Sequence, residues 1–315
     1  MSIGIYFGID TSNYTTSAAA VTVAGEVFCA KRLLSVPEGA RGMRQSDALF
    51  CHTRDLSEIV DEVLSTVREK YGDFTLLGVS ASDKPRPVEG SYMPCFLAGV
   101  GGAKVAAALS GVPLTLFSHQ EGHIEAARFG AAEEGRSFSD TCFYAFHLSG
   151  GTTEFLRVRE HENGYSAQIL GEALDLTCGQ LIDRCGVKLG LGFPAGKELE
   201  KLAEKSRKHY KIRIPKKEGG INLSGFENKF DGMLQKGEAP EDLARFVFDV
   251  VEAAVRTLLE FGVEEGAVLF SGGVTSSHLL KEALAAENHF FAPPAYTADN
   301  AIGTALLCRK GDKRG

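Results

Sequence analysis

No two of the seven cysteines (Cys29, Cys51, Cys95, Cys142, Cys178, Cys185 and Cys308) are spaced as C-x-x-C. Their odd number and scatter exclude a disulfide framework and a cysteine-built structural zinc site, and they predict a reducing compartment. No apolar run approaches the roughly 20 residues that a membrane-crossing helix needs, so no membrane span is expected. The short apolar run before Asp10 lacks the basic flank of a secretory signal and reads as a strand. The resulting expectation is a cytoplasmic protein. Positive charge is also in short supply. Lys and Arg total 34 against 41 Asp and Glu, a net charge of −7, which excludes a surface that binds nucleic acid everywhere. A linker rich in Pro, Ser or Gly is missing as well.

What is present is an ordinary globular composition, 44% hydrophobic and 24% charged, in a chain of 315 residues, enough for two lobes with separate cores. An approximate internal repeat organises it. The strand Ile5–Ile9 runs into Asp10-Thr11-Ser12-Asn13, resumes at Thr15–Val21, breaks at Gly25 and returns at Val27–Ala30. A second copy starts with Phe143–Leu148, turns at Ser149-Gly150-Gly151-Thr152-Thr153, resumes through Val158, breaks at Asn163-Gly164 and returns at Tyr165–Leu170. Each copy reads as strand, small-residue hairpin, strand, turn, strand. Helical patterns follow at Asp55–Tyr71 in the first copy and at Thr177–Leu189 and Phe193–Lys208 in the second. Backbone N–H groups in tight Gly/Ser/Thr turns cradle phosphates, and a duplicated hairpin carries more information than one Ser-Gly-Gly, which alone is a turn. A third glycine loop, Ser271-Gly272-Gly273-Val274, follows the strand Ala267–Phe270 and opens a helix expected over Ser276–Ala286. That junction suits a ligand at a helix N-terminus or a plain βα turn equally well. The segment Ala131–Ser137 reads as the surface loop between lobes.

The strongest chemical signal is Ser118-His119-Gln120-Glu121-Gly122-His123. Ser118 and Glu121 form a capping-box pair that starts a helix at His119. Four-residue spacing then puts both imidazoles on one face, a pairing suited to zinc or iron. The alternative is two ordinary histidines on a half-buried helix. A metallopeptidase needs Glu beside the first histidine; here that place is Gln120. Lys201, Lys205, Arg207, Lys208, Lys211, Arg213, Lys216 and Lys217 stand against Glu204 alone. They predict either phosphate contacts or a solvated helix end.

Nearly the whole chain resembles the TsaD-like family, the transferases that make threonylcarbamoyladenosine on tRNA. The stretches that carry the resemblance are Gly8–Ser12, Thr53-Arg54-Asp55, Pro113 through His123, Ser149-Gly150-Gly151, Gly171–Asp175, Lys188–Leu191, Ser224-Gly225, Gly272-Gly273-Val274 and Thr297–Asn300, in the family's order. The resemblance implies an α/β, two-lobed, actin-like or sugar-kinase-like ATPase fold with duplicated βββαβα units. Residues 1–130 would form an N-terminal lobe with the metal histidines. Residues 131–296 would form a C-terminal lobe with the phosphate hairpin and adenosine loop, and 297–315 a terminal helix packing back on the first lobe. It implies one divalent metal, zinc or iron, held by His119, His123 and Asp299. It also implies an adenine nucleotide, ATP or threonylcarbamoyl-adenylate, between the lobes, at Thr11, Ser12, Ser149, Gly150, Gly151, Thr152, Asp175, Gly179, Asp183, Gly272, Gly273 and Ser277. The reaction implied is metal-centred transfer of the threonylcarbamoyl group to N6 of adenosine 37 of tRNA, with Asp10 a candidate catalytic carboxylate. Partner subunits are expected, and tRNA is the candidate for phosphate contacts on the Lys201–Lys217 segment, whose other reading is a solvated helix end.

Several positions differ from the family pattern. Ser82-Asp83-Lys84-Pro85-Arg86-Pro87 stands where the family has a Gly-Pro-Gly-Leu-rich loop. Thr152 replaces a histidine, Gln180 a glutamate, Ser277 an asparagine and Phe50 an acidic residue. Arg86, held between two prolines, reads as a guanidinium offered to an anion or as a loop charge. Cys178 and Cys185, flanking Asp183, read as buried small hydrophobes or as nucleophiles. Three readings follow: the family transferase, or a diverged paralogue that carbamoylates another acceptor; a non-catalytic nucleotide- and metal-binding partner protein; and an ATP-dependent kinase-like enzyme relying on Asp10.

Overall fold

The computed structural model describes residues 2–12, 14–34, 43–162, 164–262, 265–297 and 301–312. These fall into two compact units, one drawn from 1–129, 160–166 and 298–315, the other from 130–159 and 167–297.

The first unit is built on β1 (Ile3–Ser12), β2 (Thr15–Thr22), β3 (Val27–Leu33), α1 (Gln45–Tyr71), β4 (Phe74–Lys84), α2 (Phe96–Ser110), β5 (Leu114–Ser118) and α3 (His119–Glu133). Its sheet order is β3-β2-β1-β4-β5, with β1–β2–β3 antiparallel and β1, β4 and β5 parallel. Strands β1 and β2 are buried on both faces, which is why they read as continuous apolar or small-residue runs rather than alternating ones. Ile5, Phe7 and Ile9 join Leu56, Ile59 and Val63 of α1 and Ala103 and Ala107 of α2 in one core.

Helix α1 begins ten residues ahead of the expected Asp55. Its buried stripe includes Ala48, His52 and Asp55 at helical spacing before the apolar Leu56, Ile59, Val63 and Val67. Two polar members hid the first turns from a hydrophobic pattern. His52 is buried because Nδ1 lies 2.8 Å from the Thr16 hydroxyl, and Asp55 because Arg54 pairs with it. Helix α3 runs on through Ala131–Glu133, where a surface loop was expected, because Ala131 is buried.

The second unit holds β6 (Cys142–Leu148), β7 (Thr153–His161), β8 (Gly164–Ala173), α4 (Cys178–Lys188), α5 (Gly196–Ala203), β9 (Lys216–Lys217), β10 (Gly220–Ile221), α6 (Ser224–Gln235), α7 (Pro240–Leu259), β11 (Val268–Ser271), α8 (His278–Ala283), β12 (His289–Phe291) and α9 (Pro294–Thr297). The tip of its β7–β8 hairpin, 160–166, groups with the first unit. Its sheet order is β12-β11-β6-β7-β8-β10-β9. Placing β6, β7, β8, β11 and β12 on β1, β2, β3, β4 and β5 makes the two orders coincide. The parallel β6–β11–β12 set then matches β1–β4–β5. The repeat therefore extends to a fifth strand in each copy. The additions in the second copy are β9, β10 and the helices packed on α7, whose Leu243, Val247, Val251, Val255 and Leu258 anchor the larger core.

The final helix, α10, spans Ile302–Gly311, shorter than the expected 297–315, and groups with the first unit. Helix α5 stops at Ala203 rather than Lys208, and the junction after β11 is a 3₁₀ turn, Gly273–Ser276, followed by the short α8. No helix among the described residues is long and apolar enough to cross a membrane.

Candidate functional site

In the first unit, the chemistry-bearing residues gather where the parallel strands β1, β4 and β5 end. Open α/β sheets bind ligands at this edge. Helix α3 starts there with the capping box in place. The Glu121 N–H donates to the Ser118 hydroxyl at 3.2 Å, and the Ser118 N–H donates to Glu121 Oε2 at 2.8 Å. The other Glu121 oxygen accepts from the Tyr165 N–H at 3.1 Å, so this carboxylate ties the β7–β8 tip to α3 as well as capping it.

The cap fixes the first helical turn and with it the two imidazoles. His119 Nε2 and His123 Nε2 lie 2.9 Å apart, with the rings at 76° to each other. Asp10, fully buried at the end of β1, brings Oδ2 to 3.0 Å from His119 Nδ1 and accepts from the Ser12 hydroxyl at 2.7 Å. Against that carboxylate oxygen, Nδ1 of His119 is placed to donate, and in this neutral tautomer Nε2 keeps its lone pair. A carboxylate behind a histidine that offers Nε2 is the arrangement found around protein-bound divalent metals. The donor set fits a borderline ion such as zinc or iron. Among the described residues, no three His, Cys, Asp or Glu side chains form a complete ligand set. The expected third ligand, Asp299, lies outside the described residues.

Helix α10 meets α3 at the turn that carries both histidines. A Cβ on Gly303 would lie 1.7 Å from the Gly122 carbonyl oxygen, so the two helices touch backbone to backbone at the residue just before His123. Only a residue without a side chain permits that approach.

Two residues at this edge were not singled out from the sequence as site residues. Ser82 and Asp83 lie next to the end of β4, where the pairing with β5 slips by one residue between Ser82 and Lys84. Ser82 Oγ, Asp83 Oδ1 and Asp10 Oδ1 are buried polar atoms without a hydrogen-bond partner among the described residues. Burial raises the Asp83 pKa, opposed by Lys84 and reinforced by Glu121. A bulge that turns a polar side chain inward at a strand end is a frequent active-site device. The available signal was two consecutive polar residues closing an apolar strand.

Thr11 is spoken for within the fold: its hydroxyl donates to the Cys95 carbonyl and accepts from the Gly99 N–H.

The second unit brings together the hairpin Ser149–Thr152, the start of α4 and Gly272. The Ser149 hydroxyl accepts from the N–H groups of Gly151 and Thr152, and the Thr177 hydroxyl donates to the Gly150 carbonyl. A Cβ on Gly179 would stand 2.4 Å from the Ser149 carbonyl oxygen, and one on Gly272, at φ +97°, would stand 2.2 Å from that of Leu148. These two glycines are demanded by packing. Gly150, Gly151 and Gly273 have open space where a Cβ would sit and no left-handed φ, so nothing among the described residues demands glycine there. A ligand approaching the backbone would.

The remaining predicted contacts serve the fold. Asp175 accepts from the Leu223 and Ser224 N–H groups and the Ser224 hydroxyl, which together hold its carboxyl below the usual range despite desolvation. Asp183 accepts from the Ala195 N–H. Ser277 caps α8 and donates to Glu200. Gln180 closes a capping box with Thr177, a role open to Glu and Gln alike, so this departure from the family pattern preserves the start of α4. Cys178 and Cys185 are buried, and desolvation pushes their thiols up to about 11 and about 12. That is the signature of packing residues rather than nucleophiles.

A family model described as TsaD: tRNA N6-adenosine threonylcarbamoyltransferase matches residues 38–306. The tRNA N6-adenosine threonylcarbamoyltransferase of Methanopyrus kandleri is 26% identical over 314 residues, spanning 94% of this chain and 84% of that protein. Its counterpart from Bacillus subtilis is 30% identical over 300 residues, spanning 89% and 80%. Among solved structures, the Acidaminococcus fermentans (R)-2-hydroxyglutaryl-CoA dehydratase component A matches with a TM-score of 0.56 at 18% identity, covering 97% of this chain and 98% of that one. That likeness is one of fold: the duplicated α/β architecture of actin-like and sugar-kinase-like ATPases.

Proposed function

Because this chain belongs to the tRNA N6-adenosine threonylcarbamoyltransferase family, we propose that it moves a threonylcarbamoyl group from an adenylate to the N6 amine of a tRNA adenosine. The observation that carries this reading is the Asp10–His119–His123 arrangement, with Nδ1 of His119 committed to a carboxylate and its Nε2 beside that of His123.

His119, His123 and Asp299 would hold one zinc or iron ion. The proposal rests on the fit of the imidazole pair and on the sequence position of Asp299, four residues ahead of the Gly303 that touches Gly122. A divalent ion bound there supplies a Lewis acid that polarises a carbonyl oxygen. The chain's own residues do the rest. Asp10 fixes the His119 tautomer, Ser12 steers Asp10, and Glu121 with Ser118 holds the helix end that aims both rings. In the second unit, Ser149–Thr152 would take the adenylate phosphate, where Gly150 and Gly151 leave backbone exposed. Gly272 and Gly273 would lie against the adenosine, while Asp175, Gly179, Asp183 and Ser277 keep these loops in shape.

A second reading, transfer to a different acceptor, is favoured by Ser82 and Asp83. These place buried polar atoms, without a partner among the described residues, where the family pattern has glycine, proline and leucine. Complementation separates the two readings. In a strain depleted of its own family member, this chain is expected to restore threonylcarbamoyladenosine in total tRNA, measured by mass spectrometry of nucleosides. Soluble, metal-loaded protein that restores none would reject the tRNA reaction in favour of another acceptor.

A further inference from the structure

The basic segment after α5 is sorted by the structure into two sets. Even-numbered residues are anchored along α7. Ser206 donates to Asp242 at 2.6 Å, and Lys208 pairs with the same carboxylate at 2.7 Å. The Tyr210 N–H donates to Asp249 at 2.7 Å, and its ring meets Phe246 edge-on at 5.4 Å. Ile212 packs on the core and Ile214 is buried. Asp242, Phe246 and Asp249 are spaced i, i+4, i+7, one face of α7, so the segment is stapled along that face.

Odd-numbered residues point the other way. Lys205, Arg207, His209, Lys211 and Arg213 are all exposed. Among the described residues, their side chains form no hydrogen bond or ion pair. Lys201, Lys208 and Lys216, by contrast, are matched to Glu198, Asp242 and Glu260. Residues 206–215 are neither helix nor strand, and from Arg207 to Arg213 the exposed odd-numbered residues alternate with the anchored ones, while Lys205 stands in the turn that ends α5. Helix formation would have scattered these charges around an axis. The anchors on α7 hold the intervening residues and leave these side chains exposed.

We infer that Lys205, Arg207, His209, Lys211 and Arg213 form a ridge that tracks the phosphate backbone of the tRNA acceptor. The inference rests on the tRNA reading above and deepens it. The complementarity is between four exposed Lys and Arg side chains without an ion-pair partner among the described residues and a polyanion, in a protein whose overall charge, −7, has the opposite sign. Four exposed Lys and Arg side chains within nine residues favour an RNA strand, which carries a charge at every nucleotide, over an acidic peptide.

The test compares full-length wild type with two variants, K205Q/R207Q/K211Q/R213Q and the ion-paired control K201Q/K216Q. Binding to an unmodified tRNA transcript is measured over a salt series. The ridge variant is expected to bind on the order of 10- to 100-fold more weakly near 0.15 M salt, with a log–log salt slope shallower by about 3. The control should change by less than about threefold, and adenine-nucleotide affinity and melting temperature should match wild type in both. Unchanged tRNA affinity and slope in the ridge variant would overturn the ridge while leaving the transfer reaction standing. An equal loss in the control would also overturn it, showing an effect of net charge. Wild type that binds no tRNA would overturn both readings. Ridge-dependent binding without threonylcarbamoyl transfer would uphold the ridge and reject the reaction.

Discussion

The carbonyl of Gly122 and the Cα of Gly303 meet so closely that a methyl group on residue 303 would sit 1.7 Å from the oxygen. This contact joins the C-terminal helix to the turn of α3 between the two histidines, and it links stability to the proposed metal site.

Substituting Gly303→Ala forces α10 away from α3, because the opposing atom is backbone and cannot rotate aside. A destabilisation of about 1–3 kcal/mol or more is expected, seen as a lowered melting transition together with reduced metal content. Wild-type melting and full metal loading in G303A would show that the helices do not need this contact.

Metal retention is expected to depend on the histidine ligands and on the carboxylate behind them to different degrees. Protein purified from metal-supplemented culture should carry about one ion per chain, counted by mass spectrometry of the elements. H119A should carry almost none. D10N removes the carboxylate behind His119 and should weaken metal affinity by roughly 10- to 100-fold without abolishing it. Full occupancy in H119A would remove the basis of the metal assignment.

Gly150 and Gly179 are predicted to behave differently despite their proximity. G150A has room for its methyl group and should leave stability within about 0.5 kcal/mol, yet weaken adenylate binding measured by calorimetry. G179A drives a methyl group into the Ser149 carbonyl 2.4 Å away and should lose both stability and binding. If G150A binds adenylate as wild type does, the hairpin is a turn and nothing more.

The buried thiols give a pH dependence of definite sign. Folding raises the Cys178 and Cys185 pKa values from 9.0 to about 11 and about 12 by desolvation. Below pH 9 both states are protonated and the contribution is intact. Above it the unfolded chain loses protons that the folded chain keeps, so stability falls as pH rises toward 11–12. Urea midpoints between pH 8.5 and 10.5 should decline accordingly, and C178A/C185A should flatten part of that decline. At pH 8, a thiol reagent should spare both cysteines in the native protein. Rapid native labelling of either would return it to the list of candidate nucleophiles.

Helix α3 was legible from the sequence because its start is a local matter: Ser118 and Glu121 satisfy each other's backbone groups, and four residues of helix set the histidines on one face. The strand–hairpin–strand repeat was legible for the same reason. Helix α1 was not fully legible, since burying His52 and Asp55 required Thr16 and Arg54 to answer them. The end of α5 was hidden too, because Asp242 and Asp249, far along the chain, pull Ser206 and Tyr210 out of helical register.

By itself, the sequence determined the local order of elements, the histidine pair and the duplicated small-residue turns, all governed by spacing and by neighbours within a few residues. Tertiary structure alone decided which carboxylate stands behind His119, which glycines are demanded by packing, and which lysines remain without a counter-charge. Those outcomes depend on atoms brought together from distant parts of the chain. A buried polar or charged group takes its properties from whatever is packed beside it, not from what precedes it in sequence.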